Sequence, residues 1–264
     1  MLSIAGSDSG GGAGIQADLK TFAAHHVHGL TAIAALTAQN TQAVTAIHAP
    51  DGAFLDHQLV ALFDDFRIEA IKIGMLATVD AIQTVAAALR RHAARYVVLD
   101  PVMIASSGAA LLPVDAVAAL RTQLLPLADV LTPNLPEAEV LLGSRIRDQR
   151  DMPEAAQALR RLGPRAVLLK GGHLPLVSDD EELLDLFCDA DETRRFTHPR
   201  LALEGHGTGC TLSSAIAANL ALGIGPAESC RLACDYVHGA LRYGYRPGLG
   251  PLTVLQHFWR EQTG

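Results

Sequence analysis

Tyr96-Val97-Val98-Leu99-Asp100-Pro101-Val102-Met103 opens with a strand-length apolar run that shows no polar alternation, then meets an acid and a proline. Such a run suits a strand buried on both faces, as in a parallel sheet lying between two layers of helix. Proline cannot donate to a ladder, so pairing stops there and Asp100 is left at the carboxyl end of the strand. The pattern repeats outward in both directions. Towards the amino terminus, Leu2–Ala5 precedes a helix near 13–26, Leu30–Thr37 a helix near 54–65, and Ala70–Ile73 a helix near 78–93. Towards the carboxyl terminus come a helix near 113–124, Asp129–Leu131 with helices near 135–142 and 153–162, and Ala166–Lys170 with a hairpin at 183–198 and two closing helices. Alternation of this kind predicts an α/β fold, with a central, mostly parallel sheet, helices on both faces and one domain over 1–264.

Composition narrows the partners. A chain of 264 residues, 49% hydrophobic, can bury one sizeable core. The net charge of -7 and the lack of a long basic cluster argue against nucleic acid or an acidic membrane and favour a small ligand. Residues 205–227 carry no charge, but Asn219, several hydroxyls and glycines mark a packed internal helix rather than a membrane span. The first residues lack the basic segment and cleavage site of a signal peptide, so a cytoplasmic location is expected. Cysteines at 188, 210, 230 and 234 form no C-x-x-C pair and are expected to be reduced thiols. Cys230, Cys234 and His238, spaced by four, are expected to be a small-residue core face rather than a zinc set, since no fourth ligand is suggested.

In open α/β sheets the ligand lies beyond the carboxyl ends of the strands. Gln39 and Asn40, Gly74 and Met75, Asp100, Asn134 and Lys170 all fall at such ends. Gly207-Thr208-Gly209-Cys210 starts a long helix of small residues, where unpaired N–H groups and the dipole attract phosphate. The same field is expected to favour a thiolate at Cys210. Gly12-x-Gly14-x-x-Ala17 resembles a dinucleotide fingerprint, but the next strand ends in Gln39-Asn40 rather than in an acid, so a substrate-closing loop is the alternative. No G-x-x-x-x-G-K-[ST] loop is present. Asp18, one turn into the following helix, is either a solvated first-turn acid or an acceptor for a ligand's amino group. Asp100 and Glu137, the latter in the first turn after Thr132-Pro133-Asn134, suit the sparse oxygen set that holds hydrated Mg²⁺ through substrate phosphates. Lys170, closing an apolar strand before two glycines, is expected to point at phosphate.

The segments Ala5–Thr21, Thr37–Thr41, Lys72–Leu76, Asp100–Met103, Thr132–Ala138, Lys170–His173 and His206–Ser213 together resemble the hydroxymethylpyrimidine/phosphomethylpyrimidine kinases of thiamine biosynthesis, in the ribokinase-like superfamily. The resemblance implies an ATP- and Mg²⁺-dependent enzyme that phosphorylates 4-amino-5-hydroxymethyl-2-methylpyrimidine and then its monophosphate, and a homodimer. It also implies that Asp18 and Gln39 hydrogen-bond the aminopyrimidine, Met75 and Val102 pack on the ring, and Gly6 lines the pocket. Lys170 with Gly207, Thr208 and Gly209 would face the ATP phosphates, and Cys210 would stand where sugar kinases of the superfamily carry a catalytic Asp. The rivals are a pyridoxine or pyridoxal kinase and a non-catalytic pyrimidine sensor, which need not keep Lys170, Glu137 and the Gly-Thr-Gly-Cys turn. Two departures stand out. Gly248-Leu249-Gly250-Pro251-Leu252 carries Leu where such kinases often have His, and the acidic region 176–198 matches poorly.

Overall fold

The computed structural model describes residues 1–92, 94–104, 111–172 and 182–262. Its main sheet has nine strands in the order β3-β2-β1-β4-β5-β6-β7-β8-β9. These are β1 (Leu2–Asp8), β2 (Leu30–Gln39), β3 (Val44–His48), β4 (Ala70–Ile73), β5 (Tyr96–Leu99), β6 (Val130–Leu131), β7 (Ala166–Lys170), β8 (Glu182–Cys188) and β9 (Thr193–Pro199). The six strands from β2 to β7 in that order pair in parallel, while β3, β8 and β9 add antiparallel edges. The strand order reverses between β1 and β4, and a crevice opens at such a switch point.

The apolar strands are unbroken because each feeds two cores. Val97 and Leu99 join one buried cluster and Val98 the other; Val167 and Leu169 join the first, Ala166 and Leu168 the second. Period-two geometry thus divides one continuous run between opposite faces. Helices α2 (Gly52–Asp65), α3 (Val79–Arg91), α4 (Val114–Ala119), α5 (Leu135–Leu142) and α6 (Met152–Arg160) cover the first face. Helices α1 (Gly14–Ala24), α7 (Thr208–Ala221) and α8 (Pro226–Arg242) cover the second. Every residue of α7 from Thr211 to Leu220 is buried, which is why that stretch carries no charge.

The expected architecture is found, with additions at its margins. The helix expected near 113–124 is α-helical only to Ala119 and then passes through a π turn and a 3₁₀ turn that contains Pro126. The hairpin is closed by Asp189, whose Oδ1 accepts the N–H groups of Asp191 and Glu192 at 2.9 Å each. His173 and residues 176–181, named in the sequence-based comparison, lie outside the described residues. A two-residue pair, β10 (Gly205–His206) with β11 (Thr253–Val254), is the second sheet. A short α9 (Trp259–Gln262) follows.

Candidate active site

A cleft of about 1050 Å³ opens above the switch point. The strand ends Gln39, Met75, Asp100, Asn134 and Lys170 all line it, together with Gly6, Val102, Glu137 and the turn Gly207–Cys210. These sequence-derived residues are therefore brought together, whereas Asn40, Gly74 and Asp18 do not line the cleft. The volume is at the upper end for a single drug-sized ligand and leaves room for two small substrates.

Gly207 caps α7 with φ +83, and a methyl group there would overlap the Gly12 carbonyl oxygen, so only glycine fits. The first backbone bond within the helix runs from Thr211 N to Gly207 O at 2.9 Å. The N–H groups of Thr208, Gly209 and Cys210 precede it and have no intrahelical acceptor, which leaves them open to an anion. Lys170 Nζ lies 3.1 Å from Asp100 Oδ1 at the same mouth. Burial alone would lower the Lys170 pKa, but Asp100 and Glu137 raise it, so the ammonium is held charged. A β-carbon on Gly209 would come within 3.2 Å of Lys170 Nζ and 3.3 Å of Asp100 Oδ2. The glycine therefore lets the turn approach this ion pair.

Asn134 and Glu137 form a capping box at the start of α5: Asn134 Oδ1 accepts from Glu137 N at 2.9 Å and Glu137 Oε2 accepts from Asn134 N at 2.9 Å. Burial pushes the Glu137 carboxyl up to about 7, with Asp100 adding to the rise and Lys170 opposing it. Two acids facing one cation leave negative charge in excess. That suits a divalent ion held chiefly by phosphates and water with one or two carboxylates, the manner of Mg²⁺. Asp100 and Glu137 thus fit the metal role, although one oxygen of each is already engaged.

Two sequence-based expectations are corrected. Asp18 is not a solvated first-turn acid, nor does it line the cleft: it is fully buried. Its oxygens both lie 2.9 Å from Lys72 Nζ and accept hydrogen bonds from Ser3 Oγ at 2.5 Å and Ser214 Oγ at 2.7 Å. No acceptor capacity is left facing a ligand, so Asp18 ties α1, β4 and α7 together beneath the site. The second correction concerns the Cys210 thiolate. Burial pushes the thiol up to about 11, with Asp18 and Asp100 adding to the rise, and the opposing pull of Lys72 and the Gly14 N–H is too small to reverse it. The helix field alone is a poor guide when two carboxylates lie close by.

Asp8 and His206 were missed. Asp8 closes the β1–α1 loop with N–H groups from Gly10, Gly12 and Ala13, and His206 lines the cleft beside it. An Asp two residues before a glycine run is a readable Asx-turn signal, whereas its partner 198 positions away is not. Lys72 also escaped notice, although a lysine inside the apolar run Ala70–Ile73 demands a buried partner. Cys230 and Cys234 are buried in the second core cluster, and the Cys234 thiol donates to Asp185 Oδ2 at 3.5 Å. His238 stacks on His198 with ring centroids 5.1 Å apart, and both line the far end of the cleft.

The family model described as phosphomethylpyrimidine kinase matches residues 8–254 of this chain. The hydroxymethylpyrimidine/phosphomethylpyrimidine kinase of Rhizobium meliloti (strain 1021) is 48% identical over 266 residues, covering 98% of each chain. Its namesake in Escherichia coli (strain K12) is 43% identical over 264 residues, again 98% of each. Among solved structures, the phosphomethylpyrimidine kinase of Clostridium difficile 630 superposes with a TM-score of 0.79 at 41% identity, covering 90% of this chain and 96% of that one. The Bacillus subtilis pyridoxal kinase, solved as an ADP complex, gives 0.88 at 34% identity, covering 99% and 98%. The chain therefore belongs to the phosphomethylpyrimidine kinase family, phosphotransferases of the ribokinase-like fold.

Proposed function

We propose that this chain transfers the γ-phosphoryl group of ATP to 4-amino-5-hydroxymethyl-2-methylpyrimidine and then to the resulting monophosphate, as part of thiamine biosynthesis. The observation that carries this is the meeting, in one cleft, of a phosphate-binding helix start, the Lys170–Asp100 pair and Glu137 with the apolar wall of Met75 and Val102. Gln39 lines the cleft near the β1–α1 loop, and there its amide would recognise the aminopyrimidine edge. Gly6 leaves space beside it: a β-carbon there would come within 3.2 Å of Met75 Sδ. Leu252 adds apolar surface to the cleft. The end lined by His198, Val237 and His238 is where the nucleoside would lie.

Phosphoryl transfer proceeds through a loose transition state and depends on alignment and charge neutralisation more than on covalent chemistry. Lys170 and the N–H groups of Thr208, Gly209 and Cys210 would bind the transferring phosphate in both ground and transition states. Asp100 and Glu137 would hold Mg²⁺, which when bound neutralises the phosphate oxygens. The neutral Cys210 thiol would orient the acceptor rather than remove its proton. Membership of a biosynthetic kinase family favours a cytoplasmic location. For a homodimer we point to the exposed apolar side chains Leu36 and Ile47 on the β2–β3 edge, 46% and 43% accessible.

Pyridoxal phosphorylation is the second reading, favoured by the similarity to the Bacillus subtilis pyridoxal kinase. Mass analysis after incubation with ATP, Mg²⁺ and either acceptor separates the two. The aminopyrimidine alcohol should yield a mono- and then a diphosphate. Turnover of pyridoxal alone would overturn the proposal.

A further inference from the structure

The cleft is bounded on one side by the glycine loop 9–14, between β1 and α1, and on the other by the anion turn 207–210. One buried pair joins them. Asp8 Oδ1 accepts from Gly10 N at 2.7 Å, and Oδ2 accepts from Gly12 N at 3.0 Å, Ala13 N at 2.8 Å and His206 Nε2 at 2.9 Å. Asp8 is 2% exposed and His206 4%. His206 directly precedes Gly207, whose missing β-carbon makes room for the Gly12 carbonyl oxygen. A β-carbon on Gly12 would in turn overlap the His206 ring and press on Val254. The loop, the turn and β11 therefore converge at this imidazole.

This arrangement excludes the more obvious roles. Asp8 receives four donors and has no free oxygen to offer a metal or a substrate. His206 directs its Nε2 proton at Asp8, so that nitrogen is not a base; Nδ1 is buried and has no partner among the described residues. Gln39 Nε2 lies 3.4 Å from His206 Nε2, and a nitrogen already donating to Asp8 cannot accept from it. The Gln39 amide N–H groups are thereby left for a ligand in the cleft.

We propose that Asp8 and His206 are positioning residues that fix the separation of the acceptor-side loop from the phosphate-side turn, and so set the alignment of the acceptor hydroxyl with the transferring phosphate. The inference rests on the proposed function, because it assumes that acceptor and donor occupy these two sides. Asp8 is the last residue of β1 and His206 the last of the two-residue β10, so both sit at the ends of elements rather than within the packed sheet and helices. Their loss should loosen the site more than the fold. A misplacement of about 1 Å costs on the order of 100-fold in rate.

The test compares His206→Ala, His206→Gln and Asp8→Asn with the parent. Melting temperature, kcat, KM for ATP and for the alcohol, and ATP hydrolysis per phosphoryl transferred would be measured. In His206→Ala, kcat should fall about 100-fold with both KM values changed only a few-fold, and the share of ATP lost to water should rise. His206→Gln, whose side-chain N–H can still reach Asp8, should recover at least tenfold of that loss. Asp8→Asn, of nearly the same volume but one acceptor poorer, should resemble His206→Ala and decides the matter if that variant does not fold. A kcat within threefold of the parent, a rise in KM alone, or no recovery in a folded His206→Gln overturns the proposal. If the parent phosphorylates only pyridoxal, the functional reading fails instead, and the same series on pyridoxal tests the pair.

Discussion

Asp18 offers the sharpest separation of a structural role from a binding role. Its carboxylate and the Lys72 ammonium are both fully buried, 2.9 Å apart, and the carboxylate also accepts from Ser3 and Ser214. Asp18→Asn keeps the shape and leaves an uncompensated ammonium in the interior, which costs about 3–5 kcal/mol. Lys72→Met leaves the carboxylate alone, still bonded to two hydroxyls, at a similar cost. Replacing both removes the stranded charge as well as the attraction. The double variant should then lose far less than the sum of the singles, mainly the one serine hydroxyl whose acceptor oxygen is replaced by an amide NH2, at about 1–3 kcal/mol. A coupling of about 3 kcal/mol or more follows, at the top of the range for residues in contact. Urea unfolding of the four proteins, followed by circular dichroism, measures it. Calorimetry with the aminopyrimidine alcohol should show unchanged affinity in Asp18→Asn below the unfolding range. Weakened pyrimidine binding with an unchanged urea midpoint would refute the reasoning and restore Asp18 as a ligand.

Gly209→Ala should hold or gain stability, since alanine is favoured in a helix by about 1 kcal/mol, yet its methyl would crowd Lys170 and Asp100 at 3.2–3.3 Å. We expect kcat/KM for ATP to fall at least tenfold with no drop in melting temperature, and an unchanged kcat/KM counts against the anion turn. Glu137→Gln should raise the Mg²⁺ concentration needed for half-maximal rate. In the metal-free parent the Glu137 carboxyl sits at about 7 against the 4.5 of an ordinary glutamate, so its contribution is full below 4.5 and is lost as pH rises through 7. Glu137→Gln should remove that slope from a plot of unfolding free energy against pH. His257, buried against Thr211 Oγ1 at 3.2 Å, is lowered by burial to about 4 from 6.5. The unfolded chain takes up the proton first, so stability is full above 6.5 and falls by up to roughly 3 kcal/mol towards pH 4. His257→Gln should flatten this acid limb in the same measurement. With its thiol at about 11, Cys210 should react with iodoacetamide at pH 7 about 100-fold more slowly than a thiol at 9, and a rate matching a free cysteine would restore the thiolate.

The parts of the fold that were readable in the sequence are those where burial acts on both faces at once. Val97-Val98-Leu99 and Ala166–Leu169 show as unbroken apolar runs because alternate residues enter different cores. β3 was not readable: four of its five residues are exposed, and an edge strand under little packing pressure leaves no apolar pattern. One rule about strand ends brought Gln39, Met75, Asp100, Asn134 and Lys170 to the cleft, though Asn40 and Gly74, chosen by the same rule, do not line it. The site was misread where the outcome depended on a partner distant in sequence. Asp18 looks the same to the sequence whether it faces water, a ligand or Lys72, 54 residues on. Cys210 was judged by its helix alone, but its protonation is decided by burial and by carboxylates brought in from α1 and β5.

The protonation state of Cys210 bears on how one site can serve two successive acceptors. The first is a neutral alcohol and the second, once phosphorylated, an anion. A carboxylate at position 210 would add to the charge of Asp18 and Asp100 already acting there, and at about 5 Å and an effective dielectric of 20 each unit of like charge costs about 3 kcal/mol. That penalty would fall on the monophosphate and scarcely on the alcohol, closing the second reaction while leaving the first. A thiol held neutral by burial adds no charge beside Lys170 and the open N–H groups of α7, whichever acceptor is bound. What is given up is general-base assistance to the alcohol, typically worth 10²–10⁴-fold. A loose transition state demands little of a base, because the attacking oxygen forms its bond late. The neutral thiol is therefore consistent with a kinase selected to accept its own product.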